Sequence, residues 1–67
     1  MEKRIIEKIR KKRAALNISQ KELAYRLDLS PRTYCRIENG QTKLKVVVFF
    51  AITAELGVDL GEFLGGM

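Results

Sequence analysis

The 67 residues contain no histidine and no tryptophan, and only one cysteine and one proline. Without histidine, and with Cys35 alone, no Cys/His zinc site can be assembled, and neither can a Ser-His-Asp or Cys-His nucleophile system. The chain also has no Gly-rich phosphate loop. The expectation is therefore no enzyme, no cofactor, no metal and no small-molecule substrate. One cysteine forms no internal disulfide, which suits a reducing compartment and predicts a cytoplasmic location. The longest apolar run, VVVFFAI at 46–52, falls far short of the roughly 20 residues a spanning helix needs. The first thirteen residues are charged and lack an apolar stretch, so they do not read as a signal peptide. They also hold too few large apolar residues for a membrane-surface helix, so no membrane partner is expected.

What is abundant is positive charge. Thirteen basic against eight acidic residues give +5 and a pI near 9.7, while 46% hydrophobic residues are enough for a globular chain. The length allows one domain with one small core. The charge is uneven: residues 1–45 carry all thirteen basic side chains, and residues 46–67 carry three acidic side chains and none basic. Such a chain can turn a basic face to a polyanion, although a solvated surface has the same composition.

Punctuation divides the chain into helices at about 2–16, 20–27, 31–38, 45–56 and 60–64, an all-α fold in one domain over 1–67. Ile5, Ile9 and Leu16 share a face of the first. Arg13, four residues after Ile9, is the basic residue of that helix aimed at the core. Asn17 follows where a left-handed residue ends a helix. Ser19-Gln20-Lys21-Glu22 has the spacing of a capping box, in which the serine hydroxyl accepts from the third amide and the glutamate reaches back. Ser30 caps the next helix, with Pro31 at its first position, and Gly40 stops it. Lys45 to Phe50 has strand propensity, yet Val46, Phe49, Phe50, Thr53 and Leu56 fit a helix face. Asp59-Leu60-Gly61-Glu62 repeats the capping pattern, so Asp59 and Glu62 read as caps, ahead of Phe63 and Leu64. Tyr34, Phe49, Phe50 and Phe63 are expected in the core. Cys35 has no partner ligand and is given no redox or metal role.

Ser19 to Gly40 carries the functional signal. Two short helices meet at a tight turn, and the second packs through Tyr34 and Ile37 while turning Ser30, Pro31, Arg32, Cys35 and Arg36 outward. A helix-turn-helix places its second helix in the DNA major groove in this way. The segment LNISQKELAYRLDLSPRTYCRIENGQTKLKV, followed by AELGVDLGEFL, resembles the Cro/C1-type (XRE-family) helix-turn-helix domain over about Ile5 to Leu64. SQKELA, LS with a following RT, RIENG and ELGV occur in order at the family's spacing.

The resemblance implies a compact five-helix, lambda-repressor-like fold and a role for each matching position. Arg32 and Arg36 match base-reading positions, with Ser30 and Pro31 at the groove entrance; phosphate contact is the competing reading for the two arginines. Gln20, Asn39 and Lys43 match phosphate contacts, and Lys21, Thr33 and Arg10 join them. Arg13 and Glu38 match a buried ion pair. The chain departs from the family pattern at Asp28, where a turn glycine is usual, at Leu44, where proline is frequent, and at Val47, Val48 and Ala51, which are usually polar. These last three suggest a surface for a second copy or another protein. The expected function is a dimeric, sequence-specific transcriptional regulator, a repressor on a pseudo-palindromic operator in double-stranded DNA. The alternative is an antitoxin or other partner-binding module using the helix 45–56 surface.

Overall fold

The computed structural model describes residues 2–64, apart from the side chains of Glu2, Glu62 and Leu64. Four helices, α1 (Glu2–Ala15), α2 (Gln20–Arg26), α3 (Pro31–Glu38) and α4 (Val46–Leu56), are followed by a short fifth, α5 (Leu60–Leu64). All regular structure among the described residues is helical, so the fold is all-α.

The starts and stops follow from local chemistry. The Ser19 Oγ accepts from the Glu22 amide at 3.0 Å, and the Ser30 Oγ accepts from the Thr33 amide at 3.1 Å. Each cap satisfies one of the amides that open a helix without an intrahelical partner. The second half of the expected capping box does not form at Ser19. Glu22 turns along its own helix and accepts from Arg26 Nε at 3.0 Å. Asp59–Glu62 cannot be compared in this way, because Glu62 lies outside the described side chains.

The first four helices end alike. The chain passes through a left-handed residue, Asn17 (φ 59°), Asp28 (φ 63°), Gly40 (φ 75°) or Gly57 (φ 67°). The next amide then bonds back to the carbonyl five residues earlier: Ile18 to Arg13, Leu29 to Ala24, Gln41 to Arg36 and Val58 to Thr53. This double closure satisfies the last carbonyls of each helix. Glycine takes the left-handed form freely; at Asp28 a Cβ must be accommodated there.

The core joins all five helices through Ile9, Leu23, Ala24, Tyr34, Phe49, Ile52, Leu56 and Phe63. α3 packs on α1 and α2, and α4 packs on the same two helices. Lys45–Phe50 is helical from Val46 onward; packing against α1 and α2 overrides its strand propensity.

Three expectations are corrected. Leu16 is 43% exposed and Ile6, one turn before Arg10, is buried instead; the helix ends at Ala15, so Leu16 leaves the apolar stripe. Val48, expected on the outer surface, packs against the core. Phe50, expected in the core, is 50% exposed. The last two share a cause. α4 is apolar all round, so its hydropathy does not fix its rotation, which is set by the packing of Phe49, Ile52 and Leu56.

Replacing Asp28 with glycine removes the Cβ from a left-handed turn. Asp28→Gly is expected to stabilise the fold by about 0.5–1 kcal/mol, read as a higher urea midpoint at unchanged slope.

Candidate nucleic-acid interface

α3 is a short helix with two opposed faces. Tyr34, Ile37 and Glu38 are buried. Pro31, Arg32, Thr33 and Arg36 are exposed. Arg32 and Arg36, four apart, lie one above the other, and neither enters an ion pair among the described residues. Two free guanidiniums therefore project side by side from the outward face.

The buried face is held by a polar cluster around Glu38, whose side chain is 1% exposed. Arg13, 13% exposed, approaches it with two nitrogens, Nε to Oε2 at 2.7 Å and Nη2 to Oε1 at 3.2 Å. Gln20 Nε2 donates to Oε1 at 3.0 Å, and the Tyr34 hydroxyl donates to Oε2. Arg13 Nη1 also donates to the Ile18 carbonyl at 2.7 Å. Arg10 Nη2 donates to the Glu38 carbonyl at 2.7 Å, and its Nε stands 3.7 Å from Oε1. One carboxylate thus ties α1, the start of α2 and the end of α3 together. Among the described residues, no buried side-chain polar atom lacks a partner.

The electrostatics follow from this geometry. Burial pushes the Glu38 carboxyl up, but hydrogen bonds from Arg13, Tyr34 and Gln20 outweigh it and hold the group below its ordinary range. The hydrogen bond to Glu38 raises Arg13 against the opposing effect of burial. Burial, then the hydrogen bond to Glu38, pushes the Tyr34 phenol up. The cluster is charged and fully paired at neutral pH.

The remaining expected contact residues fall in three groups. Lys21, Asn39 and Lys43 are exposed; Asn39 follows the last residue of α3, with its Nδ2 3.5 Å from Cys35 Sγ. The Ser30 hydroxyl is occupied by its cap and by a 2.8 Å bond to Thr33 Oγ1, so Pro31 and the arginines are the more available of the expected base-contact side chains. Gln20 and Arg10 belong to the Glu38 cluster. Their partners come from distant helices, and no local spacing shows that. The Tyr34–Glu38 bond was more accessible to sequence reasoning, since the two are four apart on one helix.

Some of the basic charge lies elsewhere. Lys8, Lys11 and Lys12 line an open groove with Val58 and Phe63, on the α5 side of α1. Lys8 Nζ donates to the Phe63 carbonyl at 2.7 Å and stands 5.8 Å from its ring centroid. These three lysines are grouped with α5 and not with the outward face of α3.

A helix-turn-helix family model matches residues 9–63. The chain belongs to the Cro/C1-type (XRE) helix-turn-helix family. It is a DNA-binding regulator of that type, in a family that is not one of enzymes. No curated protein and no solved structure matches it. Among the described residues, no helix is long and apolar enough to cross a membrane.

Tyr34→Phe removes one donor from the Glu38 carboxylate and changes little else in the packing. The expected loss is about 1.5–3 kcal/mol at pH 7. Glu38 titrates below its unfolded value, so its contribution is complete above about pH 4.3 and is lost as pH falls through the folded value. With one lowering bond gone, the folded value rises. Stability should then fall less steeply with acid in the variant than in the parent, as urea titrations at a series of pH values would measure. An equal acid slope in both would contradict this account of the cluster.

Proposed function

We propose that this regulator is a repressor that binds a pseudo-palindromic operator as a two-fold dimer, with α3 in the major groove. The observation that carries the reading is the pair of unengaged guanidiniums, Arg32 and Arg36, on the outward face of a helix whose other face is locked by Glu38. A guanidinium matches the O6 and N7 of guanine through two parallel hydrogen bonds, worth about 1–3 kcal/mol of discrimination. A rigid helix is what makes such a contact selective, because a mobile one would find a phosphate as easily. Pro31 contributes shape, or contact with a thymine methyl, since its side chain offers no hydrogen bond.

Lys21, Thr33, Asn39 and Lys43 are the proposed phosphate contacts around this face. Gln20 and Arg10 add to them: the Gln20 carboxamide has a second N–H, and the Arg10 guanidinium has others beyond those it gives to Glu38. Phosphate contacts set register, and base contacts select sequence. One module supplies few base contacts, and two related by a dyad double them over half-sites about 34 Å apart. Repression is the simpler outcome of such binding, because occupying a promoter is sufficient, whereas activation also needs a surface for polymerase. Contact with a different protein, as in an antitoxin, is a second reading favoured by the exposed apolar side of α4, and it is compatible with DNA binding.

Selection of bound sites from a random DNA pool tests the proposal. The expected result is an inverted repeat containing guanines in each half. Arg36→Ala should then lose discrimination at one base position. Lys43→Ala should weaken all sequences alike and reduce the salt slope by about 1. Equal losses on selected and random DNA for Arg36→Ala would overturn the assignment of that residue to base reading.

A further inference from the structure

Three lysines of α1 take no part in the face of α3. Lys8, Lys11 and Lys12 line an open groove whose other side is Val58 and Phe63. The lysines fall at i, i+3 and i+4, so they share one face of the helix. Arg4, exposed one turn before Lys8, extends the same row. Among the described residues no acidic side chain lines the groove, and no ion pair takes up these lysines. Glu7, one turn before Lys11, lines a different cavity with Arg10 and Glu38.

The groove combines two chemistries. Lys8 Nζ donates to the Phe63 carbonyl at 2.7 Å and stands 5.8 Å from its ring centroid, which pins the start of the apolar wall to α1. That ammonium keeps two further N–H donors. Val58 is half-buried beside it and packs against the core. A ligand laid in the groove therefore meets ammoniums along one side and an apolar edge along the other.

The direction of the groove decides what fits it. Lys8 and Arg10 are two residues apart, so they point about 160° apart around α1. Arg10 and Arg13 turn to Glu38 at the end of α3, which leaves the lysine row facing away from α3. On α3, Arg36 and Glu38 are likewise two apart, so Arg36 points away from α1. A duplex held by Arg36 lies on the far side of the domain from the groove, a step that rests on the reading of α3 given above. A single strand is also poorly suited, because Phe63 is 6% exposed and offers no face on which a base could stack. Carboxylates complement the three ammoniums, and an aliphatic or aromatic side chain complements Val58.

We propose that the groove between α1 and residues 58–63 binds an acidic peptide segment of another protein. Its carboxylates pair with Lys8, Lys11 and Lys12, and one apolar side chain rests on Val58. The site stays open while α3 is occupied, so the peptide and DNA are held at once on opposite sides of one domain.

Selection from a displayed pool of random peptides of about twelve residues, with the whole chain as bait and no DNA, tests this apart from base reading. The peptides recovered should carry Asp or Glu on both sides of a Leu, Ile or Phe. A recovered peptide is then synthesised and titrated by fluorescence anisotropy. Raising the salt from about 50 to about 300 mM should weaken it at least about threefold. Lys11→Glu should weaken it about threefold, and Lys11→Glu with Lys12→Glu at least about tenfold, with helicity by circular dichroism unchanged. Replacing the apolar residue of the peptide with Ser should weaken it about five- to tenfold. On selected DNA the double variant should keep the salt slope within about 0.5 of the parent value. A slope reduced by about 2 assigns both lysines to phosphate and overturns the proposal. So does a pool that yields no acidic and apolar peptide, or a peptide indifferent to the double variant. A double variant that changes the sedimented mass of the chain alone puts a second copy in the groove, and overturns it too. Failure of the DNA selection would count against the reading of α3 and leave the peptide titration as it stands.

Discussion

The fold is organised around the Glu38 carboxylate. It lies at the end of α3 and faces Arg13 and Arg10 from α1, Gln20 from the start of α2, and Tyr34 from one turn back on α3. A domain this small has little apolar burial with which to define the angles between helices. Hydrogen bonds define them more sharply, since a carboxylate accepts only along certain directions. A buried charged cluster of this kind adds little net stability, because desolvation offsets most of the Coulomb gain. What it supplies is orientation. Removing one partner leaves an uncompensated buried charge, so arrangements other than the native one are heavily disfavoured.

Much of this was legible in the sequence, and for identifiable reasons. Ser19, Ser30, Pro31 and Gly40 act through bonds to neighbours within a few residues, so their meaning is local. Arg13 could be placed because it follows Ile9, a core residue of α1, by one helical turn. The less legible parts depend on partners far along the chain. Gln20 and Arg10 look like solvated polar residues until Glu38 is brought to them from 18 and 28 positions away. Glu22 had two good partners and took Arg26. Phe50 and Val48 exchanged roles because every side of α4 is apolar, and a pattern without contrast carries no phase. That ambiguity has the same origin as the apolar side α4 leaves uncovered.

Charge along the sequence and charge in space also differ. All thirteen basic residues fall in the first two-thirds of the chain, which suggests one basic surface. Folding divides them. Arg13 is withdrawn into the Glu38 cluster, and Lys8, Lys11 and Lys12 gather beside Val58 and Phe63. Arg32 and Arg36 remain exposed on α3, and Lys21 and Lys43 are exposed outside it. The pair on α3 is smaller than the net charge implies, but it stands on a helix held by Glu38. Long-range attraction to a polyanion depends on the whole distribution, whereas close contact depends on which side chains share an exposed face.

The anchor of α3 is one face, Tyr34, Ile37 and Glu38, while Arg32, Thr33 and Arg36 stand on the other. Separating the two around the helix makes them independently replaceable. Arg32, Thr33 and Arg36 can be exchanged without disturbing Glu38 or its partners, so a new binding preference requires no new scaffold. Gene duplication followed by drift at a few exposed positions would yield sister proteins of one shape that ignore each other's targets.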